Sequence, residues 1–259
     1  MATLTDLVAD SRGFEGPVVE IAGRKTPYTY DDFAPNVWKS GNLFGHYGVH
    51  PGAEVTVVAG PKQDPDATDI GRIDAADPLF AMLGATLLGG TVRLVPVEPV
   101  DARALVVPSA WADRYGTEPG CSVIAYGEQP DDPSVVHFET EMWSENPTEP
   151  PESVAADDPA IRTSEGVYSH GELVGVATDI ESEFGLEAGD SVVLEAALAG
   201  PGAFVAGVLT TISAGGTLVL AGDRSSHDAK LVVTEGRDER EKTIGAGAVT
   251  ERLRDTRRA

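Results

Sequence analysis

Short runs of apolar residues alternate along this chain with longer stretches in which apolar residues recur at a helical period. In the first half, this pattern predicts helices and strands at 31–47 (helix), 55–58 (strand), 78–88 (helix), 92–95 (strand) and 105–107 (strand). In the second half, it predicts the same succession at 171–184, 192–194, 202–213, 218–220 and 231–233. The strands are apolar on both faces, as in parallel sheets that helices cover on both sides. We therefore expect an α/β fold with doubly wound, mostly parallel sheets.

The same sequence blocks accompany the two successions of elements. Blocks at 28–33, 48–52, 88–94 and 101–107 are matched in the same order by blocks at 168–173, 185–189, 214–220 and 228–233. The offset of about 130 residues is far longer than a solenoid repeat. We expect two similar α/β subdomains packed together, at 1–145 and 159–236, with an acidic linker at 146–158. The charged tail at 237–259 either forms a helix over about 247–257 or is frayed, and the acidic stretch at 61–77 is expected to be an exposed loop.

The charge balance is strongly acidic. Asp and Glu number 42 against 19 Lys and Arg, for a formal net charge of −23 over 259 residues. Phosphate contacts need clustered basic residues, so nucleic acids and anionic membrane surfaces are excluded as partners. A dispersed acidic excess keeps a protein soluble in concentrated salt, where self-repulsion is screened. We interpret the chain as halophilic, with an ordinary acidic protein as the alternative.

The cysteine content and the N-terminal residues indicate a cytoplasmic protein. Cys121 is the single cysteine, which excludes a disulfide within the chain, and the first residues lack the basic and apolar regions of a signal peptide. The uncharged stretch at 196–222 is long enough to suggest a membrane span. However, glycines interrupt it, so a buried helix followed by a buried strand is the better interpretation. The five histidines lack a metal-binding spacing, so no metal site is predicted.

Several motifs carry a family resemblance. In the first half they are Tyr30-Asp-Asp-Phe33, a Gly-Val-x-Pro-Gly block at 48–55, a helix of small residues at 79–88 and a strand that ends at Pro96. In the second half the motif is Ile-Arg-Thr-Ser-Glu-Gly-Val-Tyr-Ser-His-Gly-Glu-Leu at 161–173. With these motifs, residues 4–233 resemble the N-terminal part of the acyl-adenylate-forming (AMP-binding) superfamily, which includes acyl-CoA synthetases, luciferases and peptide-synthetase adenylation domains. The resemblance implies a truncated form of that fold, without its β-barrel and C-terminal domain.

The chain departs from the family at the phosphate loop. It keeps Thr163, Ser164 and Gly166 as a remnant of a nucleotide-binding site, but the central Gly-Thr-Thr-Gly-x-Pro-Lys segment is missing and Glu165 stands in the gap. A carboxylate repels a polyphosphate, and one glycine cannot supply a nest of backbone N–H donors. The alternative role for Thr163 and Ser164 is to cap a turn at a strand end. The resemblance implies ATP, AMP or CoA as a cofactor only if the family's activity survives, and we predict no catalytic residue.

The function that we favour from sequence is that of a degenerate acyl-CoA synthetase-like protein, catalytically inactive, that serves as a binding or regulatory module. The alternative is an acyl-adenylating enzyme, or a subunit completed by another chain. Gly200, Gly202 and Phe204 are predicted to form an exposed apolar surface for a protein partner, such as a full-length ligase or complementary subunit, or for a second copy of the chain. His170 is expected to make a structural hydrogen bond at a helix start.

Overall fold

The computed structural model describes residues 2–62, 64, 66–220, 229–236 and 242–257. Its strands are β1 (Pro17–Ile21), β2 (Tyr28–Thr29), β3 (Glu54–Val57), β4 (Thr91–Arg93), β5 (Ala104–Pro108), β6 (Ser122–Tyr126), β7 (Val136–His137), β8 (Pro159–Thr163), β9 (Gly166–Ser169), β10 (Ser191–Leu194), β11 (Thr217–Leu220), β12 (Leu231–Thr234) and β13 (Thr243–Gly245). Its α-helices are α1 (Leu4–Asp10), α2 (Tyr30–His46), α3 (Asp77–Leu87), α4 (Phe138–Ser144), α5 (His170–Phe184), α6 (Pro201–Ala203), α7 (Thr210–Ala214) and α8 (Ala246–Thr256). A π-helical segment, Phe204–Leu209, joins α6 to α7, and 3-10 turns lie at Ser11–Gly13 and Ser109–Arg114.

The chain divides into two compact units, each built around its own sheet. The seven-stranded unit comprises Pro35–Val154 and Asp158–Val167. The six-stranded unit comprises Met1–Ala34, Ala155–Asp157 and Tyr168–Ala259. Both units are therefore discontinuous in sequence.

Both sheets have a doubly wound strand order. The seven-stranded sheet has the order β7-β6-β5-β3-β4-β8-β9, and the six-stranded sheet has the order β13-β12-β10-β11-β1-β2. In each, the first core strand, β3 or β10, has the next strand on one side and the following strands on the other, all in parallel register. This is the doubly wound pattern of nucleotide-binding α/β folds. The expected fold class, α/β with two mostly parallel sheets, is confirmed.

The outer strands of each sheet come from the other half of the sequence. β1 pairs in parallel with β11, through Val19 opposite Leu218, and the antiparallel strand β2 follows it at the edge. β8 pairs in parallel with β4, through Ile161 opposite Val92, and β9 follows it. The units therefore differ from the continuous ranges 1–145 and 159–236 that the sequence predicts. The reason is that apolar runs identify strands but not the neighbours with which those strands pair.

Buried side chains fill each unit. In the seven-stranded unit every residue of α3 is buried, and Trp111 packs with Val58, Leu105 and Val107. In the six-stranded unit Tyr30 is buried, and its hydroxyl donates to the carbonyl oxygen of Gly216 at 2.7 Å. The N-terminal segment is thus part of the core of that unit.

Candidate functional site

The remnant of the phosphate loop forms a two-residue turn. Ser164 and Glu165 connect β8 to β9, and both are exposed. The hydroxyl of Thr163 accepts from the backbone N–H of Glu165 at 3.1 Å and donates to the carbonyl oxygen of Gly166 at 3.3 Å. Gly166 has φ 147°, a value that L side chains rarely adopt. Thr163 therefore caps a tight turn, as in the alternative interpretation of its sequence.

This turn offers few hydrogen-bond donors and no positive charge to a polyphosphate. One of its backbone N–H groups already donates to Thr163, and the Glu165 carboxylate places negative charge on the exposed side of the turn. Phosphate-binding loops instead present several successive N–H groups around a concave site. Nucleotide binding at Thr163, Ser164 and Gly166 therefore stays a prediction from the resemblance.

The prediction of an exposed contact surface at Gly200, Gly202 and Phe204 is wrong, because most of this segment is buried. Gly200 is partly exposed and extended, but Gly202 and Phe204 are buried, with Phe204 only 1% exposed. Helix α8 covers this segment and approaches Gly202 closely. A Cβ atom at Gly202 would clash with the carbonyl oxygen of Ala246 and lie 2.6 Å from the Thr250 hydroxyl. Sequence reasoning did not place the C-terminal helix on α6, and so it left this segment open to solvent.

His170 has the structural role expected of it. Its side chain is fully buried at the start of α5, and its Nδ1 accepts from the backbone N–H of Leu4 at 3.3 Å. This bond ties the start of α1 to the start of α5 within the six-stranded unit.

A cluster of charged residues that sequence reasoning missed lies in the seven-stranded unit. The Lys62 ammonium is 3.1 Å from Asp77 Oδ2 and 2.5 Å from Glu139 Oε1. Glu139 also accepts from the backbone N–H of Gly127 at 2.9 Å, and its other oxygen is 3.3 Å from His137 Nε2. We call Lys62, Asp77 and Glu139 the lysine cluster.

Burial and charge act against each other in the lysine cluster. Burial raises the pKa of the Asp77 carboxyl, and the neighbouring Lys62 offsets this only in part. Burial tends to lower the pKa of Lys62, but Asp77 and Glu139 outweigh it, so the pKa of Lys62 is raised. Lys62 is thus a firmly protonated cation that holds two carboxylates together.

A pocket of about 340 Å³ opens beside Lys62. Its walls come from the 3-10 turn after β5 and from the loop after β6, so it lies at the carboxyl end of the parallel strands. In doubly wound sheets that edge is where ligands bind. The lining residues are Lys62, Ser109, Ala110, Ala112, Asp113, Glu128, Gln129, Pro130, Asp131, Asp132 and Val135. Four carboxylates against one paired lysine make this pocket unfavourable for phosphate.

Two sequence signals mark this edge in retrospect. Lys62 stands five residues after the last residue of β3, following Gly60 and Pro61. Asp77 is the first residue of α3 and is followed by Pro78. Lys62 and Asp77 both lie in the stretch at 61–77 that was expected to be an exposed loop. Its many acidic residues suggested solvent exposure throughout, so neither residue was predicted to be buried.

The described residues show neither a metal centre nor a membrane span. In that part of the chain, no three or more His, Cys, Asp or Glu side chains are grouped so as to hold a metal ion. None of its helices is both long and apolar enough to cross a bilayer.

Comparison with solved structures identifies the fold. No protein-family model matches the sequence, and no curated protein matches it. Among solved structures, the anthranilate CoA ligase AuaEII in complex with anthranoyl-AMP is similar with a TM-score of 0.71 and 14% identity, over 90% of this chain and 49% of that one. The fold is that of the N-terminal part of the adenylate-forming enzymes.

Two further structures agree with this adenylate-forming fold. Apo MatB from Rhodopseudomonas palustris has a TM-score of 0.66 and 13% identity, over 90% of this chain and 49% of that one. The N-terminal subdomain of NpsA from Klebsiella oxytoca has a TM-score of 0.63 and 12% identity, over 90% of this chain and 61% of that one. The resemblance that the motifs indicated is thereby confirmed for the fold, and the chain spans about half the length of AuaEII and MatB.

Proposed function

We propose that this protein is a binding or regulatory module that has the fold of adenylate-forming enzymes but does not itself form acyl-adenylates. The supporting observation is the two-residue turn at Ser164 and Glu165. Adenylate formation releases pyrophosphate, and its transition state needs preorganised donors around the departing phosphates. At this turn the backbone N–H of Glu165 already donates to Thr163, and the exposed Glu165 adds negative charge.

The pocket beside Lys62 also favours binding over nucleotide chemistry. It lies at the sheet edge where α/β proteins hold ligands, and its volume is within the range of small-molecule sites. Its carboxylates disfavour ATP, while its one lysine is already paired with Asp77 and Glu139.

Carboxylate-dependent exchange of labelled pyrophosphate into ATP tests the proposal directly. The purified chain, assayed in molar salt with a panel of aliphatic and aromatic acids, is expected to stay at the background of an enzyme-free control. A parallel calorimetric titration with ATP and with AMP is expected to show no saturable heat. Clear exchange by the purified chain contradicts the proposal.

The second candidate is an adenylating subunit completed by another chain. The observation that favours it is coverage, because the chain spans only 49% of AuaEII and of MatB. The test is the same exchange assay on the tagged chain isolated from its natural source together with any bound chain. Exchange that appears only in the isolated complex, and disappears when the second chain is removed, supports this candidate.

A further inference from the structure

The two halves of the sequence exchange their outer strands. We call β1 with β2 the N-terminal hairpin and β8 with β9 the central hairpin. The N-terminal hairpin completes the sheet that contains β10 to β13, and the central hairpin completes the sheet that contains β3 to β7. Each half of the sequence therefore carries the edge that the other half needs.

The N-terminal hairpin is well anchored on β11. Val18 and Val19 are 1% and 2% exposed, and β1 follows β11 in parallel register over three residue pairs. The Thr217 hydroxyl donates to the carbonyl oxygen of Pro17 at 2.8 Å. Removal of this hairpin would leave an open strand edge and expose apolar core.

The central hairpin is anchored on β4 by both apolar and ionic contacts. Ile161 is 1% exposed and lies opposite Val92. Glu54 on β3 binds Arg93 on β4 at 2.7 Å and Arg162 on β8 at 2.9 Å, so one carboxylate joins three neighbouring strands.

We infer that the edges of β4 and β11, which the hairpins cover in the intact chain, are hairpin-binding surfaces. Each fits the hairpin of the other half of the sequence. The stretch from Pro151 to Val154, which joins the two halves, has no regular secondary structure, and Ser153 is exposed. A chain cut after Ser153 leaves one piece with β1 to β7 and one with β8 to β13. Two reciprocal hairpin contacts join the pieces, together with the hydrogen bonds from Leu4 to His170 and from Tyr30 to Gly216. The protein can therefore exist as two associated chains without loss of its fold.

The test is a full-length chain with a protease recognition sequence inserted after Ser153, cut once it has folded. In molar salt, the cut protein is expected to elute as one particle with the mass of the uncut chain, and to separate into two pieces only in denaturant. Elution of two separate pieces under native conditions overturns the inference.

Variants in the hairpins test whether the hairpin contacts, rather than other contacts, hold the cut pieces together. Val19→Ala and Ile161→Ala truncate a buried side chain in each hairpin, and each is expected to weaken association of the cut pieces at least about tenfold. Val97→Ala makes the same kind of truncation at a side chain that is 61% exposed, and it is expected to leave association unchanged. If all three variants associate equally well, the hairpin contacts are not the source of the affinity between the cut pieces.

Discussion

Lys62 is a cation paired with two largely buried carboxylates in the seven-stranded unit. Its ammonium lies between Asp77, which is 4% exposed, and Glu139, whose side chain is also largely buried. Two buried carboxylates around one cation leave the cluster with excess negative charge even when Lys62 is protonated. Removal of that cation leaves Asp77 without its ionic partner, while Glu139 keeps the backbone N–H of Gly127 and its contact with His137.

We predict that Lys62→Met lowers the free energy of unfolding by about 3 kcal/mol at pH 7. The loss is expected to shrink as the pH is lowered towards 5, because the Asp77 carboxyl, whose pKa is already raised by burial, loses the opposing effect of the ammonium and so acquires a still higher pKa in the folded state. A group with a raised pKa in the folded state stabilises the fold at low pH and loses that effect as the pH rises through this value. Urea unfolding at pH 5 and pH 8 in constant salt measures the difference.

Lys25→Met is the matched control for this variant, because Lys25 is exposed on the turn between β1 and β2. It is expected to change the free energy of unfolding by less than about 0.5 kcal/mol at either pH. A loss for Lys62→Met that equals the control, or that is the same at pH 5 and pH 8, contradicts the role of the lysine cluster.

At the scale of elements, helix α8 packs closely against α6 at Gly202. Gly202→Ala is expected to lower the free energy of unfolding by roughly 1–3 kcal/mol, because the added Cβ forces the backbone of α8 to move. Gly175→Ala is the control, since Gly175 is exposed inside α5 and its added Cβ meets no atom within 4 Å. That variant is expected to raise stability by about 0.5–1 kcal/mol. Thermal unfolding in molar salt measures the stability of both variants. If both variants change the unfolding midpoint in the same direction, the close packing of α8 on Gly202 is contradicted.

The elements with a strong local pattern were predictable from the sequence. The helix expected at 171–184 is α5, which begins at His170, and the strand expected at 105–107 is contained in β5. The Ser169 hydroxyl accepts from the backbone N–H of Glu172 as the first half of a capping box, so the start of α5 is set by neighbouring residues. Local signals of this kind need no knowledge of the rest of the fold.

Features that depend on distant residues were not predictable in this way. The places of β1 and β8 in the sheets depend on β11 and β4, which lie far away in sequence. The burial of Gly202 involves α8, and the ion pair between Lys62 and Glu139 joins residues that are far apart in sequence. At the site, the loss of the glycine-rich segment was evident from the sequence, whereas the two-residue turn that replaces it required the structure.

At the scale of the whole molecule, a doubly wound core occurs twice in one chain and each copy receives its edge strands from the other half of the sequence. Six strands follow the same order in both sheets, and the pocket beside Lys62 lies at the carboxyl end of the parallel strands of the seven-stranded unit. The turn at Ser164 and Glu165 departs from a phosphate cradle. A fold that keeps its framework while its phosphate loop is shortened is consistent with a binding role, as proposed above.

The acidic excess belongs to the molecule as a whole, and it leads to a prediction about folding. A net charge of −23 on 259 residues disfavours the compact state through self-repulsion, which acts over about 10 Å in 0.1 M salt and over about 3 Å in 1 M salt. We therefore expect the midpoint of thermal unfolding to rise steeply between dilute buffer and molar KCl. Sucrose, which stabilises compact states without screening charge, serves as the control and is expected to give a smaller rise. A midpoint that is the same in dilute buffer and in molar KCl, or that sucrose raises equally, contradicts the halophilic interpretation, because charge repulsion would then contribute little to the stability of this fold.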